Sequence, residues 1–203
     1  MKTALIVLGV LVAILVLGFL VLTGQYNGLV NRSQAVDAQW AQVQNVYQRR
    51  ADLVPNLVAT VSGAANFEKS TLTEITEARA SVGKVQINPG GTPTPAQLAE
   101  FDRAQGALSS ALSRLLVVAE NYPSLKATAN FQELQSQLEG TENRISVERG
   151  RFNDLARDYN AAIKRVPAVF FAGVMGFKEK PYFAAKPGAE NAPEVKFDFS
   201  KKP

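Results

Sequence analysis

Residues 131–166 read FQELQSQLEGTENRISVERGRFNDLARDYNAAIKRV, and a mostly apolar stripe returns along them at alternating intervals of three and four residues. The stripe consists of Phe131, Leu134, Leu138, Thr141, Ile145, Glu148, Phe152, Leu155, Tyr159, Ala162 and Val166. A spacing that averages 3.5 residues is typical of helices that pack along one another in coiled coils and bundles. We therefore predict a long helix from about Ser124 to Val166 with one face buried.

Two earlier stretches show the same spacing. In residues 26–51 the stripe is Val36, Trp40, Val43 and Tyr47, and in residues 95–120 it is Leu98, Phe101, Gln105, Leu108, Leu112, Leu115 and Ala119. The second of these helices has a clear start signal, with Thr94 as N-cap, Pro95 at the first helical position and Gln97 completing a capping box.

The stretch Asp52–Asn56 contains Pro55, which a helix tolerates only in its first turn, and Asp52 is a suitable N-cap. We predict a tight reversal here, because two helices need each other's apolar stripes for burial. The alternative is one kinked helix that continues through Pro55. The face of the helix that follows is formed by Leu57, Val61, Ala65, Leu72, Ile75 and Val82.

Residues 83–95, GKVQINPGGTPTP, contain three prolines and three glycines and predict a loop. Helices joined by short connections pack as antiparallel neighbours. We therefore predict an all-α fold in which residues 26–166 form an antiparallel up-down bundle of four long helices, with one apolar core and no sheet.

An unbroken apolar run, ALIVLGVLVAILVLGFLVL, occupies residues 4–22. As a helix it spans about 28 Å, close to the hydrocarbon thickness of a bilayer, so we predict a transmembrane anchor in residues 1–25. A cleaved signal peptide is the alternative, but the run is long and ends in the poor cleavage site Thr23–Tyr26. Lys2 and the α-amine precede the run, which favours a cytoplasmic N-terminus and an external C-terminal domain.

A second apolar stretch, PAVFFAGVMGF, follows the last helix at residues 167–177 and is too short to span a bilayer. If the four helices alternate in direction, this stretch returns to the membrane surface. The segment 167–183 is therefore either interfacial or a cap on the open end of the bundle. The candidate interfacial residues are Phe170, Phe171, Met175 and Phe177. Residues 184–203 contain three prolines and mixed charge and predict a disordered tail.

Composition excludes several kinds of chemistry. The 203 residues include no cysteine and no histidine, which removes thiolate nucleophiles, serine triads and Glu-x-x-His di-iron sites. We expect no catalytic residue, no cofactor and no metal. The net charge of +4 is not gathered into a basic patch, so no nucleic-acid partner is expected. Two functions remain, an interaction or membrane-organising scaffold without catalytic activity and, alternatively, a carboxylate-based enzyme at the membrane surface.

The constant rise of a helix predicts which residues of the first and last helices share a height. Arg50 lies 24 residues after Tyr26, and Glu142 lies 24 residues before Val166. We predict an interhelix ion pair between Arg49 or Arg50 and Glu142, with Glu139 as the second choice. The same count places Trp40 near Phe152.

Several motifs resemble the LemA family of bacterial membrane proteins. They are Tyr26-Asn-Gly-Leu-Val30 after the apolar run, Arg49-Arg-Ala-Asp-Leu-Val-Pro-Asn-Leu-Val58, Ala78-Arg79, Glu120-Asn-Tyr-Pro-Ser-Leu-Lys-Ala127, Thr141-Glu-Asn143 and Tyr159-Asn160. The likeness covers residues 1–183 in the same order. It implies a single-pass protein of the bacterial inner membrane with a helical, largely extracytoplasmic domain. The resemblance supplies no catalytic residue. For the scaffold, we expect lipid, other copies of the chain or other membrane proteins as partners.

Overall fold

The computed structural model describes residues 2–64, 67–87 and 91–184, and every regular element in these ranges is helical. The predicted all-α class is confirmed. The elements are α1 (Lys2–Ser62), α2 (Lys69–Lys84), α3 (Pro95–Ala119), the short α4 (Pro123–Lys126), α5 (Ala129–Lys164) and a 3₁₀ turn (Ala168–Phe170). The predicted tail lies outside the described residues from position 185 onward.

Helix α1 is continuous for 61 residues, from the apolar run into the bundle, and is about 90 Å long. The predicted reversal at Asp52–Asn56 is therefore wrong, and the single-helix alternative holds. The buried stripe explains why, since it continues past Tyr47 in the same three-four rhythm as far as Val61. Its further members are Arg50, Val54, Leu57 and Val61.

Pro55 lies on the exposed side of α1, so its ring does not enter the bundle. Proline lacks the N–H that would bond to the carbonyl four residues earlier, which belongs to Ala51. In this structure Arg79 of α2 supplies the missing donor, with its Nε 3.1 Å from the Ala51 carbonyl oxygen. Helix α1 therefore passes through a proline without leaving that carbonyl unbonded.

The chain reverses after Ser62, and the helices then alternate in direction as an up-down bundle. Helix α1 packs mainly along α5, and α2 packs along α3. The predicted start of α3 is confirmed. The Thr94 hydroxyl accepts a bond from the Gln97 amide at 3.3 Å, and the Gln97 side chain accepts one from the Thr94 amide at 2.9 Å.

The apolar interior forms two clusters rather than the predicted single core. The base cluster contains Leu29, Val36, Trp40, Val43, Tyr47, Leu98, Phe101, Ile145, Phe152, Ala156, Tyr159, Ile163, Ala168, Ala172 and Phe183. The far cluster contains Leu53, Val54, Leu57, Val61, Phe67, Ile75, Ala78, Leu108, Ala111, Leu112, Leu115, Ala119, Leu125, Phe131 and Leu138. The division arises because the stripes of α1 and α3 each carry a polar residue at the same height, Arg50 and Gln105.

After α5 the chain forms two further features at the base of the bundle. The base segment, residues 166–177, turns back through the 3₁₀ turn and closes where the Phe177 amide donates to the Ala172 carbonyl at 2.9 Å. Gly176 has a φ of +83° at this closure, a conformation that glycine adopts without strain. The strap, residues 178–184, then runs back along α5 without regular secondary structure.

Candidate functional site

A polar layer centred on Arg50 separates the two apolar clusters. The Arg50 side chain is only 1% exposed. Its Nη1 donates to the Ser109 hydroxyl at 2.6 Å and to the Glu142 carboxylate at 2.7 Å. Its Nη2 donates to the main-chain and side-chain oxygens of Gln105. Three helices therefore meet on one guanidinium.

Of the four residues considered for the predicted ion pair, Arg50 and Glu142 form it in the structure. Arg49 is exposed and lies outside the layer, and Glu139 is also exposed, where it accepts a bond from Gln135 within α5. The predicted neighbours Trp40 and Phe152 are in contact, with ring centroids 5.7 Å apart.

The geometry of the polar layer favours a role in fixing the register of α3 and α5 along α1. A buried guanidinium requires acceptors, whereas the Glu142 side chain is 44% exposed and keeps part of its hydration. The ion pair therefore adds little stability, but sliding α5 or α3 along α1 would leave Arg50 without its acceptors. Gln105 was expected on the buried stripe of α3, but its role as an acceptor for Arg50 was not predicted from the sequence.

An open groove of about 730 Å³ lies beside this layer, between α1, α3 and α5. Its charged lining consists of Arg50, Asp102, Glu142 and Arg149. Arg149 donates to Asp102 at 2.8 Å and to the Tyr47 hydroxyl at 3.3 Å. Burial raises the pKa of Tyr47, and the nearby positive charge of Arg149 offsets this only in part. Tyr47 is therefore a neutral hydroxyl at physiological pH.

The groove offers hydrogen-bonding groups, but each of its carboxylates already accepts an arginine bond. Over the described ranges, no three acidic residues cluster in a way that would hold a metal ion. The arrangement is thus suited to holding helices in place or binding a polar group, rather than to an acid–base pair acting on a substrate.

A second polar site ties the loop that precedes α3, at Thr92, and the strap to α1. Asp37 accepts bonds from the Thr92 amide and from the Lys180 ammonium, each at 2.8 Å. Burial raises the pKa of Asp37, but the hydrogen bonds from Lys180 and Thr92 lower it by more, so the pKa lies below the ordinary value. Sequence reasoning missed this site because loop and strap lie far from Asp37 along the chain and carry no periodic signal.

Two asparagines of α5 hold the strap. The Asn160 side chain donates to the Lys180 carbonyl and accepts from the Lys180 amide, both at 2.8 Å. Asn153 binds the amide and carbonyl of Phe183 in the same way, at 2.9 and 3.0 Å. The Phe183 ring packs against Trp40 and Phe152 in the base cluster. The strap is therefore an integral part of the bundle.

The four candidate interfacial residues divide into two pairs. Phe170 and Met175 are exposed, whereas Phe171 and Phe177 are partly buried against the base cluster. The Phe177 ring also meets the ring of Tyr26 edge to face, with centroids 5.5 Å apart. The base segment therefore lies beside α1 just beyond the end of the apolar run.

Within the described residues one helix, α1, is long and apolar enough to cross a membrane, and its residues 5–22 are exposed. The chain is therefore a membrane-associated helical protein with one candidate transmembrane helix among the described residues.

Comparison with known proteins identifies several relatives. The chain is 27% identical to the magnetosome protein MamQ 2 of Paramagnetospirillum magneticum, over 92% of this chain and 74% of the relative. It is 26% identical to the magnetosome protein MamQ of Magnetospirillum gryphiswaldense, over 82% and 67%. It is 24% identical to protein LemA of Metamycoplasma hominis, over 71% and 62%. Residues 39–197 match the family description of LemA, so the chain belongs to the LemA family.

Proposed function

We propose that this protein is a single-pass protein of the bacterial inner membrane whose bundle lies outside the cytoplasm and acts as a scaffold, without catalytic activity. Its partners are the lipid bilayer and either further copies of the chain or other membrane proteins. The observation that carries the proposal is the continuity of α1 from the apolar run to Ser62. One helix serves both as anchor and as a central element of the bundle.

This continuity supports a scaffold because it limits how the bundle can move. The base cluster includes Leu29 of α1, only seven residues beyond the end of the apolar run at Leu22. No loop between these points allows the bundle to swing. From Leu22 to Ser62 the helix rises about 60 Å, so the bundle presents its surface at a fixed height above the membrane.

Photo-crosslinking in native membranes tests the scaffold role. A photoreactive amino acid replaces one exposed residue on each long helix, Gln44, Thr73, Val117 or Val147. At least one of these positions is expected to give a discrete crosslinked species, identified by mass spectrometry. The buried neighbour Val43 is the matched control and should give no intermolecular product. If all four exposed positions yield only monomer, the scaffold proposal fails.

Labelling of a single cysteine tests the orientation. The chain has no cysteine, so Ser62→Cys places one thiol at the exposed end of α1. In intact spheroplasts a membrane-impermeant maleimide should label this thiol fully, because the bundle lies outside. Labelling only after the spheroplasts are lysed would place the bundle in the cytoplasm and contradict the proposed topology.

The competing function, a carboxylate-based enzyme, would use the groove between α1, α3 and α5. It has less support, because Asp102 and Glu142 are both engaged by arginines. The names of the relatives, LemA and magnetosome protein, also contain no reaction. An activity of the purified protein that Glu142→Gln or Asp102→Asn abolishes, while the fold is retained, would favour the enzyme.

A further inference from the structure

We infer that the exposed apolar side of the base segment lies on the lipid surface of the same membrane that holds the N-terminal helix. The inference rests on the anchoring proposed above and adds a second, peripheral contact with lipid. The protein thereby contacts the membrane at two places, the transmembrane part of α1 and the base segment beside it.

The first observation is the concentration of exposed apolar side chains in this segment. Phe170 is 77% exposed and Val174 is 92% exposed. The segment's other exposed apolar side chains are Val166, Val169 and Met175. Elsewhere in the bundle, within the described ranges, large exposed aliphatic residues stand singly, as Val117 and Val147 do. A contiguous apolar patch of this kind marks an interaction site, whereas scattered residues need no explanation.

The second observation is the height of the segment. The contact between Phe177 and Tyr26 places it four residues beyond Leu22 on α1, about 6 Å above the end of the apolar run. The headgroup layer on each side of the hydrocarbon core is about 5–7 Å thick. The patch is therefore level with the headgroups of the bilayer, where apolar side chains can enter the boundary with the acyl chains.

The third observation is the charge beside the patch. Arg165 precedes the segment and Lys178 follows it, and both are exposed. Neither has an ion-pair partner in the part of the chain that the structure describes, whereas Lys164 and Lys180 bind Glu179 and Asp37. Two free cations at the rim attract anionic phospholipid headgroups. This charge favours a bilayer over a second copy of the chain, whose base would carry the same positive charge.

Fluorescence quenching of labelled single-cysteine variants tests the inference. Val174→Cys carries an environment-sensitive fluorophore at the most exposed position of the patch, and Val117→Cys carries it on α3 as the matched control. Full-length protein is reconstituted in vesicles that contain zwitterionic and anionic phospholipids. Some of these lipids carry a nitroxide quencher on the part of the acyl chain near the headgroup. Lipid quenching at position 174 should exceed that at position 117 by about twofold or more, with iodide quenching in the reverse order.

Three outcomes are distinguishable once vesicle flotation has shown that each variant is inserted. Strong lipid quenching at position 174 supports the inference, and removal of the rim charge in Lys178→Gln should weaken it in anionic vesicles. Equal iodide quenching at positions 174 and 117 would overturn it, because the patch would then face water. Protection from both quenchers would also overturn it, because another protein surface, such as a second copy, would cover the patch. None of these results depends on crosslinking at the bundle surface, so the scaffold role stands or fails separately.

Discussion

At the scale of single residues, Arg50 has the greatest influence on the bundle. It occupies a stripe position between Tyr47 and Val54, where an apolar residue would join the two apolar clusters into one. Its guanidinium instead takes acceptors from α3 and α5. A buried charge of this kind is weak as a source of stability and is best explained by the alignment that it imposes on its partners.

Substitution of Arg50 should separate these two contributions. Arg50→Ala leaves a cavity and an unbonded Gln105, and we expect it to lower the free energy of unfolding by about 3 kcal/mol. Arg50→Met keeps most of the volume and should cost about half as much. Adding Gln105→Leu to Arg50→Met should restore nearly the original value. Urea unfolding in detergent, followed by circular dichroism, measures each difference.

The double variant is the decisive one. If Arg50→Met with Gln105→Leu is as unstable as Arg50→Ala, the polar layer itself stabilises the fold, and the assignment to register is wrong. Arg49→Ala, at the exposed neighbouring position, is the control and should change stability by less than about 0.5 kcal/mol.

The site at Asp37 should make stability depend on pH in the acid range. Because its pKa is lowered in the fold, Asp37 contributes stability that is fully present above the ordinary carboxyl pKa of about 3.9. That contribution is lost as the pH falls through the lower, folded value. Thermal unfolding of the parent chain and of Asp37→Asn should therefore differ at pH 6, and the difference should shrink as the pH falls below about 4. A difference that persists unchanged to pH 2 would contradict this assignment.

Residue heights could be predicted from the sequence to the extent that helices are straight and have a constant rise. The count from Tyr26 and Val166 placed Trp40 beside Phe152, and the structure confirms this contact. Counting residues along the helices could not distinguish Arg49 from Arg50. The buried stripe of α1 does distinguish them, because Arg50 fits its spacing between Tyr47 and Val54. Ser109 and Gln105 escaped it altogether, because the height of α3 relative to α1 depends on connections of irregular conformation.

At the scale of elements, Pro55 explains the principal error of the sequence analysis. Proline in the interior of a helix is usually disruptive, so a reversal was the natural expectation. Two features overcame this local preference. The buried stripe of α1 keeps its rhythm through Pro55, and Arg79 of another helix bonds to the Ala51 carbonyl. A partner distant in sequence cannot be identified from the propensity of the five residues around the proline.

Removing Pro55 should therefore remove the need for Arg79. Arg79→Met should lower the free energy of unfolding by about 1 kcal/mol in the parent chain. In Pro55→Ala the main-chain N–H of residue 55 can bond to Ala51, so Arg79→Met should have little further effect. The double-mutant cycle, measured by urea unfolding, gives the coupling between the two positions.

Arg114→Met is the matched control for this cycle. Arg114 is an exposed arginine that pairs with Glu74 rather than with a carbonyl of α1, and its effect should be the same with and without the proline. Equal effects of Arg79→Met in both backgrounds would show that Arg79 does not act through the Ala51 carbonyl.

At the scale of the whole molecule, the fold class and the order of the helices follow from periodicity, because each stripe requires a neighbour for burial. The relation of the anchor to the bundle is a different matter. Gly24 and Gly28 lie between the apolar run and the first buried residue of the bundle, and glycine weakens a helix without ending it. In the structure both lie inside α1, and the molecule is a rod with a bundle built around its outer part.

A rigid rod should hold the far end of the bundle away from the membrane. We expect weak energy transfer from a donor on Ser62→Cys to acceptors on lipid headgroups, because about 60 Å of helix separates them. A short Gly-Ser linker inserted after Gly24 should let the bundle lean over and increase the transfer. A helical, alanine-rich insertion of equal length is the control and should not increase it. If the flexible linker leaves the energy transfer unchanged, α1 does not set the height of the bundle. The contact of the base segment with lipid then holds the bundle upright instead.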